Sequence, residues 1–149
     1  MSAPPLVTCP NCGKRNRIRP HKEGVPRCAV CGTALPWIVD ADAAGFDDEI
    51  QASVPVLVDF WAPWCAPCRM VSPIVERIGE EHAGRLKVVK LDIDGSPEIA
   101  QRYGVQGIPL LIVLRDGHEV DRLVGAAPER ELRRWIEPHL PAVAEPERG

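Results

Sequence analysis

An α/β fold, a mixed sheet with helices on both faces, is predicted for most of this 149-residue chain. Strand-like apolar runs alternate with helical periodicity from residue 37 onward, Asp116-Gly117 marks a hairpin, and an amphipathic stretch closes the unit after Pro128. Residues 1–36 differ in character. They hold six Lys/Arg against the single acid Glu23, whereas residues 37–149 are acidic. The chain therefore reads as a small cysteine-bearing module over 1–36, an α/β domain over 37–141 and a polar tail over 142–149.

Trp37–Val39 is a short candidate strand, and Phe46 with Ile50 suggests a short helix before the strong strand Val54–Trp61. Met70, Val71, Ile74, Val75 and Ile78 then recur at helical spacing, with Pro73 expected to kink that helix. Leu86–Leu91 reads as a buried strand, and Ser96-Pro97-Glu98 as a helix start with Ser96 as cap. Leu110–Leu114 and Glu119–Val124 flank the Asp116-Gly117 turn. Leu132, Trp135, Ile136 and Leu140 form the core-facing stripe of the last helix.

Composition narrows the function classes. Apolar residues make up 45% and charged residues 26%, as in globular proteins, and no run approaches the roughly 18 apolar residues of a membrane span. Met1–Pro10 lacks a basic stretch followed by an apolar one, so a cytoplasmic location is expected. In that reducing setting six cysteines read as metal ligands or redox groups, not as a disulfide framework.

Four of them form two knuckles, Cys9-Pro10-Asn11-Cys12 and Cys28-Ala29-Val30-Cys31, separated by 15 residues and each followed by a glycine, Gly13 or Gly32. Two disulfides or four free thiols are the alternatives; location and spacing favour one structural zinc on Cys9, Cys12, Cys28 and Cys31. A module of this size buries too little apolar surface to fold alone, so metal would supply much of its folding free energy. His21 lies between the knuckles and reads as a loop residue. Lys14, Arg15, Arg17, Arg19, Lys22 and Arg27 make the module basic, but it has no aromatic side chain for base stacking, and nucleic acid is not an expected partner.

The other two cysteines lie in Trp64-Cys65-Ala66-Pro67-Cys68, directly after the strongest strand. If a helix begins at Cys65, its sulfur sits at the positive end of the helix dipole and Cys68 lies one turn deeper on the same face. A thiol attacks a disulfide only as thiolate, and helix N-termini favour that form. Cys65 is thus the expected nucleophile and Cys68 the resolving thiol. Asp59 interrupts the apolar strand. Either it is buried, with a raised pKa suited to taking the proton of Cys68, or it turns to solvent at a sheet edge; the residues alone leave both open.

Val58-Asp59-Phe60-Trp61-Ala62, the WCAPC segment, Pro73, Lys90-Leu91-Asp92-Ile93-Asp94 and Gly107-Ile108-Pro109 together resemble the thioredoxin family, in matching order across residues 37 to 141. With the cysteine ribbon in front, the chain resembles the zinc-containing bacterial thioredoxin 2 type. The resemblance implies a thioredoxin fold, with Asp59 as the buried acid, Lys90 as its charge partner and Trp64 shielding the sulfurs. It also implies a cis bond at Pro109 and a groove for an extended client segment formed by Trp64, Ile108, Pro109 and Gly125. The implied activity is reduction of client protein disulfides without an organic cofactor, by a monomer restored by an NADPH-dependent thioredoxin reductase. A thiol oxidant or isomerase on the same fold, or a ribbon that binds partners on a scaffold domain, are the rival readings. Two residues depart from the family pattern: Ala66 replaces the usual glycine, and Leu110 the threonine common after the cis proline.

Overall fold

The computed structural model describes residues 6–18 and 24–141; Arg19, His21, Lys22 and the tail 142–149 lie outside the described residues. Strands β1 (Leu6–Thr8) and β2 (Arg15–Arg17) pair antiparallel in the N-terminal module. The body then runs β3 (Ile38–Ala41), α1 (Phe46–Glu49), β4 (Val56–Trp61), α2 (Ala66–Glu81), β5 (Lys87–Asp92), α3 (Pro97–Arg102), β6 (Leu110–Arg115), β7 (His118–Val124) and α4 (Glu129–Ile136), followed by a 3₁₀ turn at Glu137–His139. Its five strands lie in the order β3-β5-β4-β6-β7. The first three are mutually parallel, and β6 and β7 run antiparallel.

Alternation along the central strand decides which residues meet which helices. Val56, Val58 and Phe60 point to one face, where Phe46 and Ile50 and α3's Ile99 cover them. Leu57 points to the other, against Val71, Val75 and Ile78 of α2 and Leu132 and Ile136 of α4. Helix α2 comes especially close to the sheet at Gly79, where an added Cβ would lie 2.9 Å from Val88 Cγ2.

From residue 37 onward the elements fall where the sequence predicts them, most bounds moved by a residue or two; the last helix differs, ending at Ile136, so that Leu140 follows the 3₁₀ turn in extended backbone. Trp37 precedes β3 because its ring turns into the N-terminal module, while its carbonyl accepts the Val88 N–H at 2.8 Å. Leu86 likewise lies just before β5. Asp116 and Gly117 both have positive φ, 54° and 79°, as a type I′ hairpin turn requires. Ser96 stands at the N-cap of α3 but its side chain makes no capping bond, and the residue is buried, at 2% exposure. Strands β1 and β2 are not predicted by apolar patterning. Arg15-Asn16-Arg17 carries no apolar alternation because the residue it buries is Asn16, which accepts the Ala29 N–H and donates to the Lys14 carbonyl, both at 2.9 Å.

The ribbon joins the body through a shared apolar cluster: Cys9, Ile18, Cys28, Leu35 and Trp37, with Ala52 and Val54 of the body packed against it. Ser53 Oγ also donates to the Gly24 carbonyl at 3.1 Å. Beneath Trp37 lies the fully buried Lys87, its Nζ 4.4 Å from the indole and paired with Glu49 at 2.9 Å. Burial lowers the Lys87 pKa, opposed by the Glu49 hydrogen bond.

Candidate functional site

Cys65 follows the C-terminal end of β4 and is the N-cap of α2, with extended backbone (φ −88°, ψ 102°) and Pro67 in the first turn. Its sulfur accepts the Cys68 backbone N–H at 3.2 Å, so one of the helix's unpaired N-terminal donors is aimed at it. The two cysteines are joined as a disulfide, with alpha carbons 5.3 Å apart.

Depth does not distinguish the two, contrary to the expectation that Cys68 lies deeper: they are 3% and 2% exposed. Both are covered because Ala62, Trp61, Ile93 and Ile108 pack around them. What separates them is position on the helix, since Cys65 caps it and Cys68 belongs to its first turn. Cys68 also borders a cleft of about 150 Å³ formed with Trp61, Ala62, Pro63, Arg69, Ser72 and Lys90.

Asp59 is fully buried on central β4, which removes the solvent-facing option. It shares parity with Leu57 and so faces α2, where Ser72 Oγ donates to its Oδ2 at 2.9 Å. Its Oδ1 has no hydrogen-bond partner among the described residues. Burial pushes the carboxyl up to about 6, against the Ser72 hydrogen bond and the Lys90 charge, which favour ionisation. Lys90 is the register neighbour of Asp59 on β5, yet its ion pair is with Glu76 of α2 at 3.2 Å. It therefore acts on Asp59 through space.

Ser72 and Glu76 are not among the residues that sequence reasoning singles out, although a signal existed. Cys68, Ser72 and Glu76 recur every four residues along α2, which stacks them on one helix face, the face turned to Asp59 and Lys90.

The residues expected to bind a client segment lie near the same end. Trp64 stands 66% exposed beside the disulfide, its Nε1 donating to Asp94 at 2.8 Å. The Ile108-Pro109 peptide is cis, Ile108 packs on the cysteine cluster, and the Gly125 N–H donates to the Pro109 carbonyl at 2.9 Å. Of the departures from the family pattern, Ala66 is exposed and Leu110 is buried in the sheet core.

The four remaining cysteines converge separately. Their sulfurs all lie within 4.8 Å of one another, with Cys9–Cys31 at 3.6 Å and Cys12–Cys28 at 3.5 Å. A tetrahedral zinc with Zn–S bonds of about 2.3 Å needs sulfurs roughly 3.8 Å apart, so the set fits. The knuckles are near copies: Gly13 N–H reaches the Cys9 carbonyl at 3.0 Å and Gly32 N–H the Cys28 carbonyl at 2.9 Å, both glycines at φ 78°. Backbone N–H groups of Asn11 and Val30 point at Cys9 and Cys28 sulfurs, each at 3.4 Å, as suits thiolate ligands. The ribbon cluster packs on residues just before β3 and β4, whereas Cys65 follows the end of β4. The six residues of β4, roughly 20 Å, therefore lie between the two cysteine groups.

Comparison with known proteins agrees with this geometry. The thioredoxin family model matches residues 37–138. Thioredoxin 1 of Synechococcus elongatus is 46% identical over 99 residues, covering 66% of this chain and 92% of the relative. The thioredoxin of Synechocystis is 46% identical over 108 residues, 72% of this chain and 99% of its own. Among solved structures, a point-mutant thioredoxin from Halobacterium salinarum superposes with a TM-score of 0.66 at 35% identity, over 75% of this chain and 99% of that one. None of the helices in the described residues is long and apolar enough to cross a membrane. With a CxxC disulfide at a helix N-cap packed against Ile108 of a cis Ile108-Pro109 peptide, and a family match over more than half its length, this chain belongs to the thioredoxin family and is a thiol–disulfide oxidoreductase.

Proposed function

We propose that the chain is a zinc-containing thioredoxin of the bacterial thioredoxin 2 type, a cytoplasmic monomer that reduces disulfides in client proteins and is restored by an NADPH-dependent thioredoxin reductase. Residues 1–36 form its zinc ribbon, 37–141 its catalytic domain and 142–149 its tail. The observation that carries the reading is the Cys65 sulfur at the N-cap of α2, accepting the Cys68 N–H beside the cis Ile108-Pro109 bond.

In the reduced state the helix N-terminus stabilises the Cys65 thiolate. A client segment lies along Trp64, Ile108, Pro109 and Gly125, with the Ile108 backbone supplying strand-like hydrogen bonds. Cys65 attacks one client sulfur, forming a mixed disulfide and expelling the other sulfur as thiolate. Cys68 then gives its proton to Asp59 and attacks the Cys65 sulfur. The Cys65–Cys68 bond forms, the second client thiolate leaves, and two electrons have passed from the dithiol to the client. Lys90 supplies a positive charge beside Asp59 that favours its ionised form. Cys9, Cys12, Cys28 and Cys31 hold zinc, which supplies structural closure of the ribbon and no redox chemistry.

Turnover of a disulfide-bonded protein with dithiothreitol as reductant tests this. Cys65→Ser should fall to the uncatalysed rate and Cys68→Ser should accumulate mixed disulfides; full activity of Cys65→Ser would refute the reading. The potential of the 65/68 couple separates the rival: a value of about −270 mV fits a reductase, and one of about −120 mV an oxidant.

A further inference from the structure

We infer that Ser72 is the positioning residue of the buried acid, engaging one oxygen of Asp59 so that the other is the one that takes up the proton. The inference rests on the proposed role of Asp59 as proton acceptor for Cys68, and it concerns a side chain that role does not by itself require.

The hydroxyl of Ser72 lies 2.9 Å from Asp59 Oδ2. A serine inside a helix ordinarily bonds back to the carbonyl four residues earlier, here that of Cys68. In this chain its single proton is committed across the helix–sheet interface instead. An ionised carboxylate only accepts, so the contact has one polarity: Ser72 donates. With Oδ2 engaged and Oδ1 unpartnered among the described residues, a proton arriving at Oδ1 leaves the serine bond in place. The carboxyl group then has no need to turn between its two protonation states. Were the proton to go to Oδ2, it would share that oxygen with the serine hydroxyl and weaken the bond, because a protonated carboxyl oxygen is the poorer acceptor.

Ser72 is one helical turn beyond Cys68 on the same face and borders the same cleft of about 150 Å³. Asp59 is wholly buried and does not border the cleft, whereas the half-buried Ser72 both bonds it and lines the cleft that Cys68 borders. The groups facing Asp59 are few. Lys90 of β5 favours its ionised form, Glu76 of α2 opposes it, and its β6 register partner is the apolar Leu111. Lys90 and Glu76 pair with each other at 3.2 Å, which leaves Ser72 as the direct donor to the carboxylate.

Stopped-flow reaction of the fully reduced protein with 5,5′-dithiobis(2-nitrobenzoate) reads this out. The first thionitrobenzoate released reports attack by Cys65, and the second reports attack by Cys68 on the mixed disulfide. In the wild type the rate of the second phase should rise with pH about a midpoint near 6, the Asp59 value. Ser72→Ala keeps α2, alanine being the best helix former, but removes the donor. Losing a hydrogen bond to a charged group should raise the midpoint by roughly one pH unit, making the second phase roughly fivefold slower at pH 6 and nearly unchanged above pH 8. Ser72→Thr should restore the wild-type profile, and Ser72→Ala should add nothing in an Asp59→Asn background. The carbon-13 titration of the Asp59 carboxyl in the oxidised protein should move by the same amount. An unmoved midpoint in Ser72→Ala, with Asp59→Asn abolishing it, overturns the role of Ser72 alone. A midpoint that survives Asp59→Asn overturns the acid's role as well.

Discussion

The chain holds three CxxC turns, and the two in the ribbon differ from the one at the redox site in the residues that come after the second cysteine. Locally they are alike: the second cysteine's N–H points at the first sulfur at 3.5 Å in Cys9–Cys12 and at 3.2 Å in Cys65–Cys68. After Cys12 and after Cys31 comes a glycine at positive φ, which turns the chain back. After Cys68 come Arg69, Met70 and Val71, which continue helix α2 to Glu81. A turn that folds back can offer both sulfurs outward to a metal shared with a second turn. A turn that runs into a helix places its first sulfur at the dipole's positive end and buries both against the sheet. The same spacing thus serves two chemistries, chosen by the next residues and by whether a second pair lies opposite.

The largest effect that could break this contrast is exchange of its roles. Cys65→Ser should abolish client reduction, whereas Cys9→Ser should abolish zinc retention and leave client reduction at the wild-type rate, since β4 separates the two groups. Loss of activity in Cys9→Ser with α2 and the sheet intact would show that the ribbon reaches the site.

Metal removal should come next. Zinc content measured with a chromogenic chelator should be one ion per chain in the wild type and none in Cys12→Ser. Structural zinc supplies about 10 kcal/mol or more to a ribbon's folding, so its loss should open the cluster around the buried Trp37 and red-shift the tryptophan emission.

A smaller effect sharpens the redox side. Asp59 has a folded-state pKa raised from 3.8 to about 6, so the native state holds its proton more tightly than the unfolded state does. Its contribution is therefore most favourable below pH 4 and is lost as pH rises from about 4 to 6, leaving a net cost at pH 7 of roughly 2–3 kcal/mol. Asp59→Asn should stabilise the protein by up to that amount at pH 7 in urea unfolding and should flatten the slope between pH 4 and 6. An unchanged slope would remove the buried acid from the account.

The smallest concerns α2 itself. Gly79→Ala gains about 1 kcal/mol of helix propensity but forces a Cβ to within 2.9 Å of Val88. Overpacking costs roughly 1–3 kcal/mol, so a net loss of about 1 kcal/mol and a Tm lower by a few degrees are expected. A higher Tm would mean that the helix can lift without cost.

The chemistry and the order of elements were legible in the primary structure because both rest on local patterns. Cysteine spacing, the Asp116-Gly117 turn and apolar periodicity involve residues close in the chain, and the thioredoxin resemblance added the cis Pro109. Three things were not legible. The residues alone left Asp59 either buried or exposed; the thioredoxin resemblance implied the buried acid, and the physical reason, a β4 flanked by β5 and β6, belongs to the tertiary structure. Ser72 and Glu76 gained their partners Asp59 and Lys90 only when α2 lay down on the sheet, across 13 and 14 residues of chain. The ribbon's place opposite the redox site depended on Trp37, whose indole left its strand to fill a cluster built from both ends of the first 54 residues. Short-range spacing specifies which groups can react, because a turn or a helical face sets their separation by itself. Which carboxylate is desolvated, and which hydroxyl reaches it, is decided by the packing of one layer on another, because desolvation is a property of everything that surrounds a group.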